Sequence, residues 1–189
     1  MKKSFILVAV AALGVGAMCS SCKPQSVVTA GGEKEVSIPC DDKRSDKEFF
    51  RGLGIGQSKD LNTARDKARM AANAELAGSI STMIKQVQER YVNDAGQKPS
   101  DYSEVFEGMT KQVVSQQISN LSVACNKTAQ TTDGMYKVYM AVEANKEEVY
   151  KALEKGFEAE KKLETLFNRE KFRQNFDAEM AEFAKKQGY

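Results

Sequence analysis

Histidine is absent from this 189-residue chain. That removes Ser-His-Asp and Cys-His nucleophile arrangements and histidine-rich metal sites. Four cysteines cannot fill the gap, because a structural zinc site wants four ligands and at least one of these cysteines belongs to the N-terminal leader. Serine–lysine catalysis has one Ser-x-x-Lys string to draw on, Ser20-Ser21-Cys22-Lys23, and it sits where a leader would be cleaved. Neither an acid–base pair nor an activated nucleophile can be placed, so the expectation is a protein that is not an enzyme and carries no cofactor or metal. Tryptophan is also missing and aromatics are only 8% of residues, which predicts a core of Ala, Val, Ile, Leu and Met. Long apolar runs are lacking too. The longest, Phe5 to Met18, is about fourteen residues, against the roughly 20 a membrane-spanning helix needs.

What is present begins with that run. Lys2 and Lys3 precede it and Met18-Cys19-Ser20-Ser21-Cys22 follows it, the order of a signal peptide's charged, apolar and cleavage regions. A small residue before a cysteine suits lipoprotein processing, and Ser21 makes Cys22 a better acceptor than Cys19, which follows Met18. The expected precursor is therefore a signal peptide over 1–21, with Cys22 acylated. An ordinary secreted protein cleaved between Ala17 and Ser21 is the competing reading. Lys23-Pro24-Gln25 follows Cys22 where acids would favour surface export. The expected place is thus the bacterial cell envelope, lipid-anchored at the outer membrane and facing the periplasm.

Removing the leader also removes the formal net charge of +2, which Lys2 and Lys3 supply. A near-neutral mature chain offers no basic field for nucleic acid. Cys40 and Cys125 then remain. In an oxidising compartment they either pair or stay buried as free thiols, and the distance between their Cα atoms decides.

Residues 22–47 contain Pro24, Pro39, Gly31-Gly32 and mixed charges including Glu33, Glu35, Asp41 and Asp42. They read as an acylated N-terminus and solvated tether, with a short edge strand over Val36 to Cys40 limited by Pro39. Roughly 140 residues follow, enough for one core. Phe49 to Gln57 alternates as a strand, with Phe50, Gly52, Gly54 and Gly56 on one face. Glycine at every second position lets a helix approach closely. That alternation does not match a dinucleotide loop, whose glycines open a helix. Asp60 caps a helix in which Leu61, Ala64, Ala68, Ala72, Leu76, Ile80 and Val87 recur at steps of three and four, and Gly96 and Pro99 end it. Tyr102, Phe106, Met109 and Val113 predict a second helix to about Gln117, capped by Ser100-Asp101. A strand over Ile118 to Gln130, the turn Asp133-Gly134 and a strand over Met135 to Ala144 form a hairpin. Helix resumes after Asn145.

The fold class is therefore α+β: a small antiparallel sheet in the order strand, two helices, hairpin, helix, packed by helices. The domain is assigned to 48–155, and 156–189 to a long, more exposed helical arm. That arm could associate with the first helix, another copy, a protein partner or a membrane surface. Tyr136, Tyr139, Tyr150 and Phe157 are expected mainly in the core, with a glycan or peptide groove as the alternative.

The leader, the strand Phe50-Arg51-Gly52-Leu53-Gly54-Ile55-Gly56, the helix opening Ala64-Arg65-Asp66-Lys67-Ala68 and the Asp133-Gly134 hairpin leading to Tyr136-Lys137-Val138-Tyr139-Met140 together resemble a known family. It is the group of small bacterial envelope lipoproteins typified by the LPP-twenty lipoproteins, itself similar to the N-terminal domain of flagellar assembly protein T. The resemblance covers about Phe49 to Leu153 and implies an α+β fold in the envelope without established chemistry. Two functions are expected from these readings: a non-catalytic lipoprotein acting by protein–protein contact or assembly, or a binding module for a small ligand or cell-wall fragment.

Overall fold

The computed structural model describes residues 36–187. The signal peptide expected over 1–21, Cys22, the Ser20–Lys23 string and most of the expected tether lie outside the described residues. From Ile38 onward the chain forms one compact unit.

The sheet is antiparallel with order β1-β3-β2: β1 is Phe49–Ser58, β2 Ser122–Gln130 and β3 Tyr136–Asn145. β3 is central because the hairpin places it beside β2 while its far edge takes β1 in register from Phe49↔Asn145 to Ser58↔Tyr136. The turn uses Gly134 at φ +79°, and Thr131 and Met135 close it with a backbone bond of 2.9 Å. A bulge interrupts β2 between Val123 and Cys125.

Helix α1, Leu61–Asp94, lies along β1 and β3. Asp60 caps it, accepting from the Thr63 N–H at 2.8 Å, and the chain leaves through Gly96 at φ +73°. Ala64, Ala68, Ala72, Leu76, Ile80, Ile84 and Val87 are all fully buried, as their spacing predicts. Helix α2, Ser103–Ser119, follows a 3₁₀ turn over Pro99–Tyr102. Ser100 and Asp101 do not cap it: their side chains bond each other at 3.3 Å, and Pro99 sets a turn before the helix begins. Helix α3, Lys146–Ala159, begins directly after β3. The Asn145 side chain accepts from Glu147 N–H at 2.8 Å and so ends the strand and caps the helix at once.

Three expectations change. First, the boundary at 156 moves: α3 runs to Ala159, and the expected C-terminal helix is α4, Arg169–Gln187, which takes the first of its expected alternatives and packs on α1. Phe172 and Phe176 are buried and the partly buried Met180 and Phe183 pack on the same core, so the apolar face of α4 is turned toward this chain's own core. Second, the domain begins before residue 48. Val36 to Ile38 form no strand, and residues 39–42 turn around Cys40, whose φ is +67°. Third, the core is not purely aliphatic. Tyr91 meets Phe157 and Phe172 edge-on at 5.5 and 5.2 Å, and Phe157 lies 4.6 Å from Phe172. Tyr150 is buried in the same cluster, while Tyr136 and Tyr139 are half-buried.

Candidate functional site

Gly52, Gly54 and Gly56 sit where the strand alternation places them, against the Ala-rich face of α1. A Cβ on Gly54 would stand 2.0 Å from the Ala68 carbonyl oxygen and 2.5 Å from the Ala72 nitrogen; on Gly52 and Gly56 the nearest carbonyl oxygens, of Ala72 and Ala64, would be 2.3 and 2.0 Å away. These are backbone atoms that cannot step aside, so the glycines permit the contact and leave no room for a ligand.

Cys40 and Cys125 are joined by a disulfide, with Cα atoms 5.7 Å apart and a sequence separation of 85. The bond ties residues 38–48 to β2 on the sheet face opposite the helices. The same segment is also held at the β1 side. Ser45 Oγ accepts from Arg51 N–H at 2.8 Å and donates to Arg51 C=O at 3.3 Å. Arg51 bridges Asp46 at 2.5 Å and Glu143 at 2.7 Å. The Asp46 carboxylate further accepts from Glu48 and Phe49 N–H at 2.8 and 2.9 Å. Burial of Asp46 works against its charge, yet these bonds and Arg51 hold its carboxyl below the usual range. Residues 38–48 are thus a strap fastened at both sides of the sheet. Asp41 and Asp42 pair in the open with Arg44 and Lys43, as a solvated segment should. Among the described residues no three Asp, Glu or Cys side chains gather as metal ligands.

A groove of about 780 Å³ runs between α2 and α3, with Met109 and Val113 on its floor, Gln112 and Gln116 along one wall, and Lys151 and Lys155 along the other. Gly156 lets α3 approach: a Cβ there would be 2.9 Å from Met109 Cγ. The groove is open and chemically mixed, with no buried titratable group aimed into it. A smaller hollow of about 280 Å³ is lined by Lys146, Glu147, Arg173, Asp177 and Met180. Lys146 is only 5% exposed; its ammonium lies 5.0 and 5.3 Å from the Phe50 and Phe183 ring centroids and donates to the Asp46 carbonyl. Sequence reasoning missed this lysine. Its one signal was position, directly after a strand-ending Asn145 and on the face that continues the buried row of β3.

Tyr91 is the other buried polar anchor. Its hydroxyl donates to Leu166 C=O at 2.8 Å and accepts from Asn168 N–H at 2.6 Å, fixing the α3–α4 connection to α1. Burial raises its pKa, and the Asn168 bond only partly offsets this. Such a hydroxyl is structural, with both hydrogen-bonding roles taken by backbone. Comparison with family models, with curated proteins and with solved structures finds no match for this chain. No helix among the described residues is long and apolar enough to cross a membrane.

Proposed function

We propose that this chain is a non-catalytic envelope lipoprotein, anchored by acyl chains on Cys22 at the outer membrane facing the periplasm, acting by protein–protein interaction or assembly. The observation that carries the reading is the Lys2-Lys3, apolar run and Ser21-Cys22 order of the N-terminus. The Cys40–Cys125 disulfide supports it, since such bonds persist in oxidising compartments. The strap supports it mechanically: a tether leaving Cys22 enters the domain at a point cross-linked to the sheet, so a pull on the anchor is borne by a covalent bond. The resemblance to LPP-twenty lipoproteins points the same way. Neither nucleic acid nor a cofactor is part of this proposal.

Intact mass of the membrane-extracted protein, beside a Cys22→Ala variant and with and without reductant and thiol alkylation, tests it. A chain beginning at acylated Cys22, lost in the variant, with two thiols freed by reductant is the expected result. An unacylated chain released to the soluble fraction overturns the anchor.

A binding module for a small ligand or cell-wall fragment is the second reading, favoured by the α2–α3 groove. Titration with muropeptides should then shift the Met109 methyl resonance; an unmoved signal removes this reading.

A further inference from the structure

The two edges of the sheet are finished differently. On the outer edge of β1, several backbone groups that point away from β3 meet side chains, although among the described residues those of Ile55 do not: Ser45 serves Arg51, the Glu75 carboxylate accepts from Leu53 N–H at 3.0 Å, and the Lys67 ammonium donates to Gln57 C=O at 3.3 Å. Because Arg51, Leu53 and Gln57 point outward, their register partners Glu143, Ala141 and Lys137 direct their backbone bonds to β2. Lys127 and Ala129, opposite Tyr139 and Lys137, therefore face β3, and Asn126, Thr128 and Gln130 aim their N–H and C=O groups away from the sheet. Among the described residues nothing bonds to that outer row. All five residues from Asn126 to Gln130 are exposed, since α1 covers β1 and β3 and leaves β2 beyond the helix layer. Proteins usually blunt such an edge with a charge or a bulge; here Lys127 and the bulge between Val123 and Cys125 do so only in part, and Asn126 to Gln130 stay in regular register.

We propose that the outer edge of β2 is the contact through which two copies of this chain pair antiparallel about a twofold axis at Thr128, joining two three-stranded sheets into one of six. The strand is complementary to itself in that register. Thr128 opposes Thr128, a favourable cross-strand pair, and Asn126 opposes Gln130. On the other face Lys127 opposes Ala129, so the one charged side chain of this stretch does not meet its own copy. Three outward residues on each strand give roughly six backbone hydrogen bonds. An unrelated strand would gain the same backbone bonds but not the matched side chains. The pairing deepens the assembly reading above and rests on it in one respect: two chains anchored in one membrane meet at a raised effective concentration, which a single strand pair needs.

Light-scattering mass of the full-length, detergent-extracted chain tests the pairing. The expected polypeptide mass is twice that of one processed chain, which is the 20.9 kDa of the 189 residues less residues 1–21. Thr128→Pro removes an outward N–H that β3 does not use, a place where an edge strand tolerates proline. It should yield a monomer whose unfolding midpoint equals that of the wild type diluted to its monomeric range. Ala129→Lys, which sets Lys against Lys127 of the second copy on an exposed face, should weaken the dimer about threefold. A wild-type monomer up to about 100 μM, or a folded Thr128→Pro dimer, overturns the proposal. Mass spectrometry of Cys22 in the same sample separates the two readings: acylated monomer defeats the pairing and keeps the anchor, while dimer on an unacylated chain defeats the anchor.

Discussion

From Ala64 to Ala72, α1 rests on the glycine face of β1 with backbone against backbone. From Met83 to Val92 the same helix is held by side chains, with Tyr91 clamped among Phe157, Phe172 and the Leu166–Asn168 backbone. Both ends bury their inner face fully, yet they would fail in different ways. In the first, the atoms nearest each glycine are carbonyl oxygens and amide nitrogens of α1, and added volume has nowhere to go. In the second, rings fill the space between four helices, and lost volume leaves a cavity. One helix thus shows close approach and side-chain filling as two separate solutions to burial.

Adding a single methyl group to the first end should have the largest effect. Gly54→Ala must push α1 off β1, at a cost above the usual range of about 1–3 kcal/mol for overpacking, because the obstruction is backbone on a 2.0 Å approach. Gly78→Ala is the matched control: it lies on the exposed side of the same helix with nothing within 4 Å, and should stabilise by about 0.5–1 kcal/mol. Urea unfolding of the two variants checks both signs, and equal midpoints would discard the close-approach account. Removing volume at the other end comes next. Phe157→Ala should cost about 3–5 kcal/mol, with Phe157→Leu recovering most of it; a loss below about 1 kcal/mol would show that the ring cluster collapses freely.

Local pattern made much of this legible. The alternation of β1, the three-and-four spacing of α1, the Asp60 cap and the Asp133-Gly134 turn each depend on neighbours within a few residues, and each stands where its pattern places it. What escaped depends on distant partners. The docking of α4 on α1 needs contacts between residues about 90 apart, such as Arg90 with Glu179 and Glu182, and a polar stretch after Gly156 hid the reversal of the chain. Overall aromatic content also misled, because five of the eight phenylalanines among the described residues, Phe50, Phe106, Phe157, Phe172 and Phe176, are buried. The glycine face was readable because every second residue declares it. The strap was not: only the fold brings Cys40 beside Cys125 and Ser45 beside Arg51. The bare edge of β2 became visible only once the register showed which way its amides point.

The smallest expected effect lies at the junction of the two ends, where Lys146 sits between Phe50 of the strand and Phe183 of α4. Burial lowers its ammonium pKa below the ordinary 10.5, against the opposing pull of Asp46 and with a further push from Arg51. The charged form is therefore disfavoured in the folded chain. As pH rises, the folded state releases this proton first. Between the lowered pKa and the unfolded value of 10.5 the unfolded chain holds more protons, so stability rises with pH across that window. The buried hydroxyls of Tyr91 and Tyr150, both raised by burial, act in the opposite sense, but only above about 10. Urea midpoints measured from neutral pH to about 10 should thus climb in the wild type and stay flatter in Lys146→Met. The methionine keeps the packing between the rings and removes the titration, so parallel curves would mean that solvent reaches the ammonium and that the junction is open.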